Sequence, residues 1–302
     1  MNDINDLERD IYRVLDSDLD HEPNEVTAAH YAMNIGGELA KATRPRSRDR
    51  EMGKLWASDL GETCMRKAWY KFHAPSAAIP LMGHTKFKFL YGNILEESVM
   101  YLTEEAGHLV QYPQGRVEWD VPNTDWMVSG RIDGIINDAL VDVKSTSSYG
   151  YKKYASEGIN HSNDTFGYLW QLSYYHHFAP FDWSYEKDKT GFLWIDKQNG
   201  HILYNNASPY LWTAEEVTNK VGLLVATIEQ PLTPAFRRKE VPDGKSGNMK
   251  LDVKCSYCDF REHCWRDSNG GKGLRTFLYG NGPAYLTEVK REPKVPEVTP
   301  NA

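Results

Sequence analysis

Three of the four cysteines lie within ten residues, and their spacing limits the possible folds of the chain more than any other feature. Cys255, Cys258 and Cys264 are spaced C-x2-C-x5-C, and the fourth cysteine, Cys64, lies far upstream. Cysteines grouped as three plus one are a poor disulfide framework for a chain of 302 residues. In a reducing compartment the cluster therefore predicts a metal site, although sulfur-bound metals commonly take four ligands.

The bulk composition is that of an ordinary globular protein, 40% hydrophobic and 25% charged, and long enough for one large domain or two small ones. A net charge of −7 argues against non-specific coating of nucleic acid, but it allows a local basic groove. Basic stretches occur at 41–50, 66–71 and 236–239, and each alone could also be ordinary solvated surface. Because no apolar run approaches a membrane span and the acidic start is no signal peptide, we expect a cytoplasmic protein.

The hydrophobic pattern changes period along the chain, from helix to strand and back. The first fifty residues look helical with a break at Pro45, and the Pro- and charge-rich last twenty are predicted to be disordered. The elements predicted between them are a helix over 91–107, strands over 108–121, 126–136 and 139–146, a helix over 165–179, a hairpin over 190–206 and a helix over 213–229 that begins with a Thr213–Glu216 capping box. This order predicts one mixed α/β sandwich.

Two aspartates and a lysine lie in the stretch GRIDGIINDALVDVKS, residues 130–145. Because side chains alternate along a strand, Asp142 and Lys144 share one face, and Asp133 lies beside Asp142 if the two strands pair as a hairpin. Two carboxylates that close repel each other unless a cation lies between them, and hard oxygen ligands suit Mg²⁺ or Mn²⁺. The pattern thus predicts a metal site in which Lys144 holds a water or stabilises charge on a phosphate. A plain salt bridge along a strand is the alternative.

The context of this Asp-x-Lys sequence separates it from four other copies of the pattern, which begin at Asp243, Asp252, Glu288 and Glu292. It alone lies in a β-branched run and follows a second aspartate on an adjacent predicted strand. Upstream, Glu96 or Glu97 could supply a third carboxylate, unless both belong to an exposed helix face. Downstream, Gln171 and Tyr175 lie four residues apart on one helix face, where they could bind a phosphate, orient the lysine or simply form part of an amphipathic helix.

Taken together, these residues resemble the PD-(D/E)xK nucleases, in particular their RecB-type branch. The resemblance lies in the order Glu, Asp, Asp-x-Lys and Gln-x-x-x-Tyr on a helix–strand–strand–strand–helix frame. The branch includes an iron–sulfur subgroup, with the CRISPR-associated adaptation exonucleases and the AddB nuclease domain, that has one cysteine before the nuclease core and a C-x2-C-x5-C triplet after it. The similarity extends from about Cys64 to Cys264, two thirds of the chain.

The resemblance also implies which residues bind a [4Fe–4S] cluster. Cys64, in SDLGETCMRKAWY, would join Cys255, Cys258 and Cys264 as the fourth ligand. Such a cluster would close a very long loop, so its implied role is structural. A zinc site with four thiolate ligands remains the alternative, because the sequence does not separate the two metals.

For the fold, the resemblance implies an α/β restriction-endonuclease-like core, a mixed central sheet flanked by helices, with a helical N-terminal region and a C-terminal iron–sulfur segment. The predicted parts are 1–60, 61–270 and 271–302. Two positions depart from the family. Glu96 stands where the CRISPR-associated members often have histidine, and Ile132 rather than proline precedes Asp133.

For activity, the resemblance implies a bacterial or phage-encoded, metal-dependent DNA exonuclease that acts on single strands or DNA ends in recombination, repair or DNA processing. The implied metal ligands are Glu96, Asp133, Asp142 and the carbonyl of Val143, with Lys144, Gln171 and Tyr175 acting on the water and the strand. Its partners would be DNA and possible recombination or CRISPR-adaptation proteins, with no membrane. A second hypothesis is a DNA-binding or adaptor protein that keeps the fold but cleaves nothing.

Overall fold

A computed structural model describes residues 2–16, 21–44, 49–280 and 282–298, so the predicted break at Pro45 lies outside the described residues. Packing divides the chain into two compact units. Unit 1 comprises Met1–Arg46, Met52–Glu62 and Met82–Leu223, and unit 2 comprises Ser47–Glu51, Thr63–Leu81 and Leu224–Ala302.

Helices and strands follow one another in the general order that the sequence predicts. The α-helices are α1 (Leu7–Leu15), α2 (Glu25–Thr43), α3 (Met65–His73), α4 (Gly83–Glu105), α5 (Ser148–Glu157), α6 (Tyr168–Phe178), α7 (Ala214–Ile228), α8 (Val253–Ser256), α9 (Arg261–Cys264) and α10 (Ser268–Gly271). The β-strands are β1 (Lys54–Trp56), β2 (Val110–Gln111), β3 (Arg116–Asp120), β4 (Met127–Arg131), β5 (Gly134–Ile136), β6 (Ala139–Thr146), β7 (Gly191–Asp196), β8 (Ile202–Asn206), β9 (Val241–Pro242), β10 (Met249–Lys250), β11 (Arg275–Tyr279), β12 (Gly282–Glu288) and β13 (Glu297–Val298). Within the described ranges, no helix is both long and apolar enough to cross a membrane.

Unit 1 is built on a mixed five-stranded sheet in the order β2-β5-β6-β7-β8. Strands β6 and β7 run parallel, and the other neighbours are antiparallel. Every residue of β7 and the first five of β6 are buried, as in strands that are covered on both faces. Helices α4 and α5 pack against these two strands. The predicted α/β fold, with a mixed central sheet flanked by helices, is confirmed.

The helical N-terminal region belongs to the same core as this sheet. Ile4, Leu7 and Ile11 are buried in one cluster with Leu193 and Ile195 of β7, and α2 lies along α4. These apolar side chains face the sheet because they recur at helical spacing. The predicted N-terminal helices are present as α1 and α2, and both belong to unit 1.

Two of the three predicted strands are in fact broken, because the chain passes between two sheets. The predicted strand over 108–121 splits into β2 and β3, with positive φ angles at Tyr112 and Gln114 between them. The predicted strand over 126–136 splits into β4 and β5. Strands β3 and β4 form an antiparallel pair in a separate sheet with the order β1-β4-β3. The break after β4 therefore places Asp133 where the chain enters the central sheet.

Two local predictions are confirmed by backbone geometry. Strands β7 and β8 pair as an antiparallel hairpin, and Gly200 adopts a positive φ angle in its turn. At the start of α7, the amide of Thr213 donates to the Glu216 carboxylate at 2.8 Å, and the amide of Glu216 donates to the Thr213 hydroxyl at 3.2 Å. This is the reciprocal capping box.

Unit 2 contains a five-stranded sheet in the order β13-β11-β12-β10-β9, together with α3 and the short helices α8, α9 and α10. A small apolar core contains Leu251, Cys255, Trp265 and Leu274. The chain before residue 82 is tied to the C-terminal part by backbone contacts. One of them is the hydrogen bond from the amide of Ile79 to the carbonyl of Asp259, at 2.7 Å.

The C-terminal end differs from its predicted disorder. Strand β12 covers Gly282–Glu288 and pairs antiparallel with β11 along its length, and β13 pairs with β11 on the other side. Pairing satisfies the backbone of this segment despite its proline and charge content. Residues 299–302 lie outside the described residues.

Candidate functional site

The pairing of β5 with β6 determines where the two aspartates lie. Gly134 stands opposite Val141 in this antiparallel pair, so the same register, carried one step further, places Asp133 opposite Asp142. Asp133 Oδ2 accepts a hydrogen bond from the backbone amide of Val143 at 2.6 Å. The hairpin that the sequence predicts therefore brings the two carboxylates to the same end of the pair.

Asp142 and Lys144 lie two residues apart on β6, with their side chains on one face. Lys144 Nζ forms an ion pair with Asp142 Oδ2, and the two side chains are 21% and 2% exposed. Among the described residues, no donor meets that oxygen in regular hydrogen-bond geometry, so its charge is met by the ammonium group. Lys144 Nζ also lies 5.5 Å from the centre of the Tyr168 ring, close enough for a cation–π contact.

Glu96, on α4, joins this group from the adjacent helix. Its carboxylate interacts electrostatically with Asp133, Asp142 and Lys144, and it lies within hydrogen-bonding reach of Asp133. Glu96 Oε1 also accepts a hydrogen bond from Gln114 Nε2 at 2.9 Å. Three carboxylates and one amine thus converge around β6, the middle strand of the central sheet.

Glu97, the other glutamate considered from the sequence, makes a different contact. Its Oε2 accepts a hydrogen bond from Asn34 Nδ2 of α2 at 3.0 Å. Because consecutive helical residues point in different directions, the two glutamates separate in this way. Glu96 is the one that the structure brings into contact with the aspartates.

Crowded negative charge and burial shift the protonation equilibria of this group. Burial raises the pKa of Glu96 to about 7, against the opposing effects of Lys144 and Asp133. Burial, followed by the charges of Glu96 and Asp142, raises the pKa of Asp133 well above its usual range. Burial acts to lower the pKa of Lys144, but Asp142 and Asp133 raise it more. The raised pKa values mean that ionising Glu96 and Asp133 is costly even with Lys144 nearby, and a bound metal cation would favour their ionised forms.

Gln171 and Tyr175 occupy one face of α6, as the sequence predicts. Gln171 Nε2 donates to the Tyr175 hydroxyl at 3.0 Å. Tyr175 is buried, and burial raises the pKa of its phenol, with the charges of Asp142 and Asp133 adding to the rise. The structure thus brings the pair close enough to the acidic group for electrostatic interaction.

Gly130, on β4, is a position that the sequence analysis did not single out. A Cβ atom there would lie 2.6 Å from Ala57 Cβ and 2.7 Å from Tyr175 Cε1. Contacts this short force neighbouring atoms to move. The absence of a side chain at Gly130 therefore allows Tyr175 to occupy its buried position.

We expect Gly130→Ala to lower the free energy of unfolding by about 1–3 kcal/mol, because the added methyl overpacks this contact. Chemical denaturation would measure the change. Gly222→Ala is the matched control, since Gly222 lies in α7 with no heavy atom near its Cβ position, and alanine should be neutral or stabilising there. Equal denaturation midpoints for wild type and Gly130→Ala would contradict the steric argument.

An open cavity of about 330 Å³ adjoins Gln171 and Tyr175, and we call it the flanking cavity. Its lining residues are Trp56, Ala57, Ser58, Arg116, Ser129, Gly130, Arg131, Gln171 and Tyr175. Trp56, Arg116 and Arg131 are exposed, although Arg116 forms an ion pair with Glu118 at 3.0 Å and Lys54 Nζ lies 5.0 Å from the centre of the Trp56 ring. Sequence reasoning missed these residues because they come from separate strands, and it missed Gln114, which lies in the turn between β2 and β3. Tyr168 could have been found, since it lies one helical turn before Gln171.

In unit 2 all four cysteines line one pocket, which we call the cysteine pocket. Cys64 lies immediately before α3, and the other three lie in and between α8 and α9. Backbone hydrogen bonds shape the triplet, with the amide of Cys258 donating to the carbonyl of Cys255 at 3.0 Å. No disulfide bond links any of the four cysteines, all of which are among the described residues.

The cysteine pocket combines burial with positive charge around the thiols. Burial raises the pKa of Cys258 to about 12 and also raises the pKa values of Cys255 and Cys264. The cationic residues that line the same pocket are Arg66, Lys67, Arg237, Arg238 and Arg261. Buried thiols surrounded by cations match a metal group that is held by thiolates and carries negative charge, because metal binding removes the thiol protons.

As placed, the described residues include no group of three or more His, Cys, Asp or Glu side chains that would hold a metal ion. Their donor chemistry nevertheless fits two kinds of metal. The acidic group offers oxygen donors, including a buried Asp142 oxygen without a regular hydrogen bond, which suits Mg²⁺ or Mn²⁺. The cysteine pocket offers four sulfur donors, which suit an iron–sulfur cluster or zinc.

Comparisons with known proteins give distant likenesses of structure. No family model and no curated protein sequence matches the chain. The crystal structure of a protein called SSO0001 aligns with 15% identity and a TM-score of 0.44, covering 76% of this chain and 93% of that one. An alkaline exonuclease (LHK-Exo) from Laribacter hongkongensis aligns with 14% identity and a TM-score of 0.34, covering 59% of this chain and 89% of that one. The same exonuclease in complex with dAMP aligns with 16% identity, a TM-score of 0.36 and the same coverage.

Proposed function

We propose that this protein is a metal-dependent DNA nuclease that acts as an exonuclease on single strands or DNA ends. The convergence of Glu96, Asp133, Asp142 and Lys144 around the middle strand of the central sheet is the observation that carries the proposal. These groups come from α4, the β4–β5 junction and β6, and no core-packing requirement explains why three acids should meet there. The family resemblance of the sequence motifs points to the same chemistry, and to recombination, repair or CRISPR adaptation as its setting.

The three carboxylates and the carbonyl of Val143 would hold the divalent metal. When bound, Mg²⁺ or Mn²⁺ supplies Lewis-acid activation of water and screens the charge of the phosphate. Lys144, with its side chain partly exposed beside Asp142, would position the attacking water and stabilise the charge that develops on the phosphate. Lys144 would then no longer be the sole counter-charge of Asp142 and would be available for this role.

Gln171 and Tyr175 would orient the strand at its scissile phosphate. Their mutual hydrogen bond fixes both polar groups at the inner end of the flanking cavity. Arg131 and Arg116, exposed in the same cavity, can pair with phosphates, and the exposed indole of Trp56 can stack on an unpaired base. An aromatic platform of this kind favours single-stranded over duplex DNA.

For unit 2 we propose that Cys64, Cys255, Cys258 and Cys264 bind a [4Fe–4S] cluster with a structural role. The shared pocket, its cationic lining and the absence of disulfide bonds between these four cysteines support this assignment. Zinc in the same pocket is the alternative. An absorption shoulder near ~400 nm distinguishes the two, since iron–sulfur charge transfer gives one and zinc does not.

The test is an incubation of anaerobically purified protein with labelled single-stranded DNA and Mn²⁺, with and without EDTA. We expect shortening of the DNA that the chelator prevents, because the carboxylates alone cannot activate water. Substrates labelled at the 5′ or the 3′ end would give the polarity of digestion. Binding of DNA without any shortening would overturn the nuclease assignment and favour a DNA-binding adaptor with the same fold.

A further inference from the structure

Unit 2 contains a further cavity. It is an open cleft of about 820 Å³, which we call the cationic cleft. Its lining residues are Arg66, Tyr70, Thr233, Ala235, Phe236, Arg237, Lys239, His263, Cys264, Arg266 and Asp267. Four of these side chains are permanently cationic and one is a carboxylate, in a chain whose net charge is −7. Such a local excess of positive charge attracts anions against the overall field of the protein.

Two of the four cations are available to a ligand. Lys239 and Arg266 are exposed, and within the described residues neither forms an ion pair or a side-chain hydrogen bond. The other two are held in place. Arg66 Nη2 donates to the Tyr70 hydroxyl at 2.7 Å, and Arg237 stacks 3.9 Å from the centre of the Trp265 ring. The cleft therefore combines two fixed guanidinium groups with one ammonium and one guanidinium group that can adjust to a ligand.

The cleft also accounts for two basic stretches that the nuclease mechanism does not use. Residues 66–71 contribute Arg66 and Tyr70, and residues 236–239 contribute Phe236, Arg237 and Lys239. These stretches lie more than 160 positions apart in sequence, yet both line the same cleft. Basic residues that were only solvated surface charges would not need to lie together in one cleft.

An exposed aromatic residue indicates what kind of anion the cleft takes. The Phe236 side chain is 74% exposed, although phenylalanine is usually buried, and it lies directly beside the cationic Arg237. A small inorganic anion gains nothing from an exposed phenyl ring, whereas an unpaired base stacks on it while the flanking phosphates pair with cations. The cleft also stays open, as the passage of a strand requires.

We propose that the cationic cleft binds a segment of single-stranded DNA, with its phosphates on Lys239 and Arg266 and a base on Phe236. The choice of DNA as the occupant rests on the proposed function. The cleft would hold the strand at a second site on the protein, so that binding does not depend on the acidic group alone.

The experiment measures the binding of a fluorescent single strand of about 20 nucleotides to the full chain by anisotropy. Lys144→Ala is present throughout to prevent cleavage. We expect Lys239→Ala/Arg266→Ala to raise the Kd by about tenfold and to reduce the slope of log K against log salt by about 1.4, since two phosphate contacts are lost. Phe236→Ala should raise the Kd for the single strand by about tenfold and leave the Kd for a blunt duplex unchanged, and Phe236→Trp should restore it.

The matched control is Lys245→Ala/Lys272→Ala, which removes two exposed cations of unit 2 that do not line the cleft. An equal loss of affinity in this control would attribute binding to bulk charge and overturn the proposal. Unchanged affinity in the cleft variants would also overturn it. So would full displacement of the DNA by tripolyphosphate combined with no effect of Phe236→Ala, because the occupant would then be a small anion.

Failure of the proposed function gives a different result. If the wild-type protein cleaves no DNA but the cleft variants bind DNA more weakly than it does, the nuclease assignment is refuted and the cleft assignment stands. If the wild-type protein cleaves DNA and the cleft variants bind DNA as tightly as it does, the cleft assignment is refuted and the nuclease assignment stands.

Discussion

Replacing Lys144 by alanine is expected to reduce the rate of DNA cleavage by about 10³-fold, because the charge that develops on the phosphate loses its nearest amine. The rate would be measured under single-turnover conditions with Mn²⁺ and labelled single-stranded DNA. Lys152→Ala is the matched control, since Lys152 is an exposed lysine of α5 outside the acidic group. It should cleave at the wild-type rate.

Lys144→Ala also leaves the buried Asp142 carboxylate without its ion-pair partner, which can destabilise the fold by itself. Lys144→Arg avoids this ambiguity. Arginine retains the positive charge beside Asp142 but replaces the compact ammonium group with a planar guanidinium group. We therefore expect a stable protein with strongly reduced cleavage. Both variants should keep the visible absorption of the wild type, because the cysteine pocket lies in unit 2. Wild-type cleavage by a folded Lys144→Ala protein would remove this lysine from the mechanism.

The central part of the acidic group could be predicted because it depends on local rules. Side-chain alternation alone puts Asp142 and Lys144 on one face of β6, and a hairpin register puts Asp133 opposite Asp142. The capping box at Thr213 likewise needs only two residues three positions apart and no tertiary contact. The sequence did not settle the choice between Glu96 and Glu97. The rotation of α4, set by packing against β6 and α2, turns Glu96 toward Asp133 and Glu97 toward Asn34, and Glu96 as the metal ligand stays a prediction.

Features that depend on distant contacts were beyond the sequence pattern. The bend between β4 and β5 arises because the chain passes from one sheet to the other, and no residue type in the sequence indicates it. Strand β12 lies in a proline- and charge-rich segment, yet pairing with β11 and β10 satisfies its backbone. The cationic cleft is the clearest case. Each of its two basic stretches is consistent with solvated surface, and the placement of both on one cleft distinguishes them.

Substituting Cys64 by serine is expected to abolish the absorption shoulder near ~400 nm and to lower the free energy of unfolding by about 5 kcal/mol. All five strands of the central sheet lie between Cys64 and Cys255 in the sequence. A metal group that joins the two cysteines therefore closes a very long loop in the unfolded chain. The entropy of such a closure grows slowly with length and reaches this magnitude beyond about 100 residues, if the metal stays bound in the unfolded state as a covalent bond would.

The comparison that tests this cause is a double-mutant cycle with Cys264→Ser. If both cysteines bind the same group, either substitution removes it, and the double variant should be no less stable than the weaker single one. Wild-type protein stripped of metal should fall to the same stability, and Cys64→Ser should then cost little more. Iron and zinc analysis of the purified protein identifies the metal in each case. Additive losses of unfolding free energy, or a Cys64→Ser protein that keeps its absorption, would mean that Cys64 lines the pocket as an ordinary buried thiol. The two sequence-distant parts of unit 2 would then be held together by packing and by hydrogen bonds such as that between Ile79 and Asp259.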